Sequence, residues 1–118
     1  MSFGEILREI SGSVTGALGA MIVGMDGITV DEYSVSGVTD LQTIGIEYGA
    51  VMKEVENVSS SLELGKAREM AVTTEGCVII IRMITEEYFL ILVLSPGSNL
   101  GKGRFKARVA ANRIAAEF

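Results

Sequence analysis

The chain alternates between short, almost wholly apolar runs and longer segments in which apolar residues recur every third or fourth position. The densest apolar region is Gly76–Leu94, where Gly76–Ile84 and Tyr88–Leu94 flank a polar connection at Thr85-Glu86-Glu87. Each run is shorter than an ordinary helix and rich in β-branched or aromatic residues, which predicts a β-hairpin. Successive strand side chains point to opposite faces, so strands apolar at nearly every position require cover on both faces. This hairpin is therefore expected at the centre of a sheet with helices above and below.

The rest of the chain supplies the other layers. Ser2-Phe3-Gly4-Glu5 has the form of a capping box, and Phe3, Ile6, Leu7 and Ile10 follow on one stripe, predicting a first helix over 3–11 that Gly12 stops. Gly16–Met25 is small and apolar, Asp26-Gly27 is a hairpin turn, and Ile28–Ser34 alternates Ile28 and Val30 with Thr29 and Asp31. Strand one reads as central and strand two, broken by Asp31 and Glu32, as an edge. Thr39 is the expected cap of a long helix over 40–61, with Gln42 completing the box. Its predicted core face is Leu41, Ile44, Tyr48, Val51, Met52, Val55, Val58 and Leu62. Gly45 and Gly49 permit close packing of some neighbour against it. Residues 63–75, where Lys66, Arg68, Met70 and Val72 alternate with small and acidic residues, predict a half-polar third strand. Asn99 caps a last helix over 100–118, with Leu100, Ala107, Ala111, Ile114 and Phe118 as its main stripe and with Phe105 and Val109 expected against helix one.

Joining the first hairpin to the three-strand meander through the apolar strands one and five leaves polar strands two and three as edges. The expected fold is one α/β (α+β) domain over 1–118, an α/β/α sandwich of the profilin type. Its five-stranded antiparallel sheet has the order 2-1-5-4-3, with one long helix on one face and two helices on the other.

Composition narrows the chemistry. The 118 residues are 48% hydrophobic with mean hydropathy +0.41, high for a small domain, which fits either a surface partly hidden by a partner or a well-filled core with scattered exposed apolar side chains. Net charge is −5, giving the whole chain no electrostatic case for nucleic acid. No run reaches the length of a membrane span. The single cysteine, Cys77, lies in a predicted buried strand, and this, with no leader-like start, predicts a cytoplasmic protein. With no histidine, neither the usual zinc sites nor a Ser/His or Cys/His relay is available, and no cofactor is expected. The adjacent carboxylates Asp31-Glu32 and Glu86-Glu87 read as solvated turn and edge residues. Gly97–Gly103 follows a strand and opens a helix, but it fails the phosphate-loop pattern: Pro96 holds the first glycine's place and Gly103 that of the Ser/Thr. What survives is a weak anion-site candidate at Ser98, Asn99 and Lys102.

The order helix, hairpin, long helix, meander, helix resembles the roadblock family, which includes dynein roadblock light chains and regulators of bacterial Ras-like GTPases. The stretch Gly16–Gly27, the two apolar central strands and Asn99-Leu100-Gly101 carry the resemblance, while the glycine–lysine start of the last helix departs from it. The resemblance implies a homodimer paired through strand three, with Lys66, Ala67, Arg68, Glu69, Met70 and Val72 at its interface. It also implies binding of a small Ras-like GTPase, to regulate it or in a non-enzymatic scaffold. Thr43, Ile46, Ala50, Lys53, Glu54 and Asn57, on the helix face that the core does not need, are the expected partner surface. A motor-associated adaptor and a small-ligand sensor are the alternative functions.

Overall fold

Ser2 begins the first helix as its side chain predicts: the hydroxyl accepts from the Glu5 amide at 3.2 Å and donates to the Glu5 carboxylate at 3.1 Å. The computed structural model describes residues 2–35 and 40–118, and in it α1 spans Phe3–Ser13. Gly12 does not stop it. The helix ends where Val14 turns extended, and Gly16, at φ +89°, takes the left-handed position instead.

Strands β1 (Ala17–Gly24) and β2 (Thr29–Ser34) are joined by the Asp26-Gly27 turn, in which Gly27 has φ +86° and the Asp26 carboxylate accepts from the Ile28 amide at 3.0 Å. A bulge between Ile22 and Val23 pairs them with Asp31 and Thr29, leaving Val30 as the extra residue. This reverses the expected side-chain alternation. Thr29, Asp31 and Tyr33 are half-buried, while Ile28 and Val30 are exposed.

The long helix α2 spans Leu41–Ser61. Thr39, the expected cap, lies outside the described residues; the cap found is Asp40. Its carboxylate accepts from the amides of Gln42 and Thr43 at 3.1 and 3.3 Å and from the Thr43 hydroxyl at 2.7 Å. Hydrogen bonds to those helix-start donors hold the Asp40 carboxyl below its ordinary pKa. At the other end the Leu64 amide donates back to the Ser59 carbonyl, with Glu63 at φ +56° and Gly65 at φ +85°. That left-handed helix end occupies chain expected to be strand, so β3 covers only Glu69–Thr73. Strands β4 (Val78–Met83) and β5 (Tyr88–Leu94) complete the meander, and α3 spans Leu100–Ala115.

The sheet is antiparallel throughout, in the order β2-β1-β5-β4-β3, as the chain pattern predicts. Ala20, Ile22, Ile80, Leu90 and Leu92 point to the face covered by α1 and α3. Met21, Val23, Ile79, Ile81, Phe89 and Ile91 point to the face covered by α2. Between α1 and α3 the contact is made by small residues, Ala107, Ala110 and Ala111, with Ile114. Phe105 does not reach helix one. It is 53% exposed, with the Arg108 guanidinium 5.7 Å above its ring. Phe118 lies beyond the end of α3, stacks on Tyr88 at 4.5 Å and meets the tilted ring of Phe3 at 5.0 Å, binding the two ends of the chain to the sheet.

Candidate interaction surface

On α2 the buried line is Leu41, Gly45, Gly49 and Met52. A Cβ on Gly45 would lie 2.7 Å from Met21 Sδ, and one on Gly49 would lie 2.8 Å from Phe89 Cζ. The helix therefore approaches through its backbone, and the sheet supplies the bulk. This overturns part of the expected core face. Ile44, Tyr48 and Val55 are half-buried, but Val51, Val58 and Leu62 are 46%, 50% and 63% exposed, joined by Leu64 at 73%. A stripe chosen by hydrophobicity alone took in Leu41 and Met52 but missed Gly45 and Gly49 between them. Their signal was two glycines one turn apart inside a helix.

Rotation of about 100° per residue then places two exposed strips on opposite flanks of α2. Ile46, Ala50, Lys53 and Asn57 form one flank; Val51, Val58 and Leu62 form the other. Thr43, Glu47 and Glu54 run along the crest between them. All six residues of the expected partner surface, Thr43, Ile46, Ala50, Lys53, Glu54 and Asn57, are exposed. Ile46, Ala50 and Lys53 also line a shallow cleft of about 210 Å³ with Gly45, Gly49, Phe89 and the Val23–Gly27 turn.

The six residues of the expected dimer edge divide. Met70 and Val72 are paired opposite Ile81 and Ile79 and so share the α2 face. Ala67 packs at the margin of the same cluster. Glu69, opposite Arg82, faces the other way and is held by two guanidiniums, Arg104 from α3 and Arg82 at 3.4 Å. The Arg104 hydrogen bond keeps the Glu69 carboxyl below the ordinary glutamate range against the opposing effect of burial. Lys66 pairs with Glu86, and Arg68 is exposed while its carbonyl accepts from the Met83 amide. The outer side of β3 has no neighbouring strand among the described residues.

Ser98, Asn99 and Lys102 do meet, beside a concavity of about 390 Å³ that also includes Gly16 and Ser95. The Lys102 amide and the Ser98 hydroxyl are already engaged. Asn99 Oδ1 accepts from the Lys102 amide at 3.0 Å, and the Ser98 hydroxyl donates to the Ser95 carbonyl at 2.7 Å. Among the described residues no cluster of His, Cys, Asp or Glu could hold a metal ion, and no helix is long and apolar enough to cross a membrane.

The Roadblock/LC7 domain of Streptomyces avermitilis superposes with TM-score 0.86 over 97% of this chain and 95% of its own, at 7% identity. MglC of Myxococcus xanthus is 33% identical over the whole of both chains, with TM-score 0.73. The chain belongs to the roadblock family. A further member of this roadblock group of structures, MglB in a tetrameric arrangement, matches with TM-score 0.86 at 19% identity, over 97% of this chain and 85% of its own. At such identities the likeness to the Streptomyces domain and to MglB carries the fold alone. No family model matches the sequence, and neither does any curated protein.

Proposed function

We propose that this roadblock chain is a non-enzymatic, cytoplasmic module that pairs with a second copy of itself and binds a small Ras-like GTPase to regulate it. One observation supports the pairing above all. Five strands about 4.8 Å apart make a sheet roughly 20 Å wide, whereas a helix is about 10 Å across. Two helices cover one face of this sheet and one helix covers the other. Beside that single helix stand exposed Val51 and Val58, together with the free edge of β3 carrying Met70 and Val72. A second copy joined through β3 would bring a second α2 alongside the first and remove both the open edge and the apolar flank from water.

The GTPase reading rests on membership of the roadblock family, whose members are associated with GTPase regulation. It also rests on the second flank of α2, where Ile46 and Ala50 sit among Lys53, Glu54 and Asn57 as an apolar centre with a polar rim. The tests are sedimentation, expected to give a dimer at micromolar concentration, and calorimetry against nucleotide-loaded Ras-like GTPases. Ala50→Arg is expected to leave melting unchanged and weaken GTPase affinity by about 1–3 kcal/mol. A monomer would reject the pairing. Unaltered affinity in the folded variant would reject this flank as the site, and binding without altered hydrolysis would make the protein an adaptor.

A further inference from the structure

The outward surface of α3 lies across the sheet from α2 and takes no part in that function. Leu100–Ala115 holds Lys102, Arg104, Lys106, Arg108 and Arg113 and no acidic residue. These are five of the chain's 10 cationic side chains, so the remainder carries five cations against 15 anions. Arg104 is engaged with Glu69, and Arg113 with Glu9 at 2.6 Å. Lys102, Lys106 and Arg108 pair with no carboxylate among the described residues. Between these cations Phe105 and Val109 stand one turn apart, 53% and 39% exposed. Beside Val109 a groove of about 210 Å³ separates α1 from α3, floored by Ile10, Val109 and Ala110 and rimmed by Ser13, Lys106 and the mutually paired Glu9 and Arg113.

A groove with an apolar floor, whose one carboxylate is already paired, on a helix that carries three unpaired cations is complementary to an acidic segment with apolar side chains at helical spacing. An anionic bilayer fits less well. The apolar surface is concave, and the excess negative charge on the rest of the chain would repel an anionic lipid face. We propose that the outward face of α3 docks an acidic amphipathic segment of a partner protein. One apolar side chain of that segment sits against Ile10, Val109 and Ala110, and its carboxylates face Lys102, Lys106 and Arg108. The site is independent of the GTPase reading and remains accessible when α2 and β3 are engaged.

The probe is a fluorescein-labelled, glutamate-rich peptide of about four helical turns with one leucine per turn, set against the same peptide with glutamine for leucine. Anisotropy is expected to show the leucine peptide binding about tenfold tighter than the glutamine peptide, and weakening as salt rises. The double variant Lys102→Glu, Lys106→Glu and the single variant Val109→Gln are each expected to lose about tenfold in affinity, with melting unchanged. Backbone amide shifts should move at Ile10, Phe105 and Val109. GTPase affinity should stay the same in both variants, so failure here leaves the α2 function standing. Equal binding of the two peptides, binding indifferent to the variants, or shifts confined to α2 would overturn the proposal. So would an absence of peptide binding with capture by phosphatidylserine vesicles in its place.

Discussion

The two faces of one sheet are finished differently. Among the described residues, 15 buried ones beneath α1 and α3 are accompanied by five partly buried ones, nearly all Ile, Leu, Val and Ala. Beneath α2, nine buried ones are accompanied by nine partly buried ones. All five described methionines, Met21, Met25, Met52, Met70 and Met83, lie in that second layer, with the single cysteine, Cys77. Branched aliphatic side chains have few rotamers and fill a closed space in one way; methionine adapts to an irregular or changing one. The difference teaches that the strands themselves were not the limiting factor. The same β1, β4 and β5 supply bulk to both faces, and the number of covering helices decides which face is complete.

The largest test of this contrast is Leu7→Ala, at a residue with no exposure in the closed layer. It should cost about 2–5 kcal/mol in urea unfolding, because the packed neighbours cannot collapse into the space. The cost should not depend on protein concentration. Val58→Asp, on the open side, should do the reverse. Single-chain stability should shift by less than about 0.5 kcal/mol, while self-association weakens by about 1–3 kcal/mol in sedimentation equilibrium. If Val58→Asp unfolds the chain, or leaves association intact, the open layer is ordinary core. A smaller effect separates two helical glycines. Gly49→Ala should lower the melting temperature, since the new Cβ meets the buried Phe89 ring and its overpacking cost of about 1–3 kcal/mol exceeds the helix-propensity gain of about 1 kcal/mol. Gly12→Ala, with nothing within 4 Å of its Cβ, should keep that gain and raise the melting temperature.

The smallest expected effect is electrostatic and joins β3 to the closed layer. The Glu69 carboxyl is held down by Arg104 and Arg82, so its stabilising contribution is complete above its unfolded pKa. That contribution is lost as pH falls through the depressed folded value. Melting of Glu69→Gln should therefore lie below wild type at neutral pH and converge with it in acid. Parallel melting curves at every pH would show that the guanidiniums contribute nothing, as half-exposed pairs in water often do.

Strand order was legible because both partners of each decision were visible in the chain. Unbroken apolar runs at Ile79–Ile81 and Leu90–Leu94 demanded cover on both faces, and Asp31 and Glu32 marked an edge. Caps at Ser2 and Asn99 were legible because they are local chemistry. The orientation of α2 was not. Its seat depends on Met21 and Phe89, distant in sequence, filling the space that Gly45 and Gly49 leave, so the helix's own apolar moment pointed to Val51 and Val58 instead. Residues 63–68 failed for a related reason: the alternation was real, but Glu63 and Gly65 had already spent that chain on ending a helix. Of the candidate surface, the exposure of Ile46, Ala50, Lys53 and Asn57 was readable from period, whereas that of Val51, Val58 and Leu62 was not. The diversion of Glu69 to α3 was not, because it depends on Arg104, a residue of the next layer.

The seam between β1 and β5 also sets how the chain finds its fold. The β1–β2 hairpin and the β3–β4–β5 meander each close over a few residues, but the seam must bring Val23 to Phe89 and Ala17 to Leu94 across the whole of α2 and the meander. Closing that loop costs about 2 kcal/mol more in chain entropy than closing the β4–β5 turn. Two quickly formed pieces therefore wait on one slow encounter, and folding speed is governed by the contacts that hold that encounter, such as Met21 with Ile91 and Ile22 with Leu90, rather than by either turn. Until they meet, β1 and β5 each expose an apolar, unpaired edge, and it is in that interval that the chain is most open to joining the wrong copy of itself.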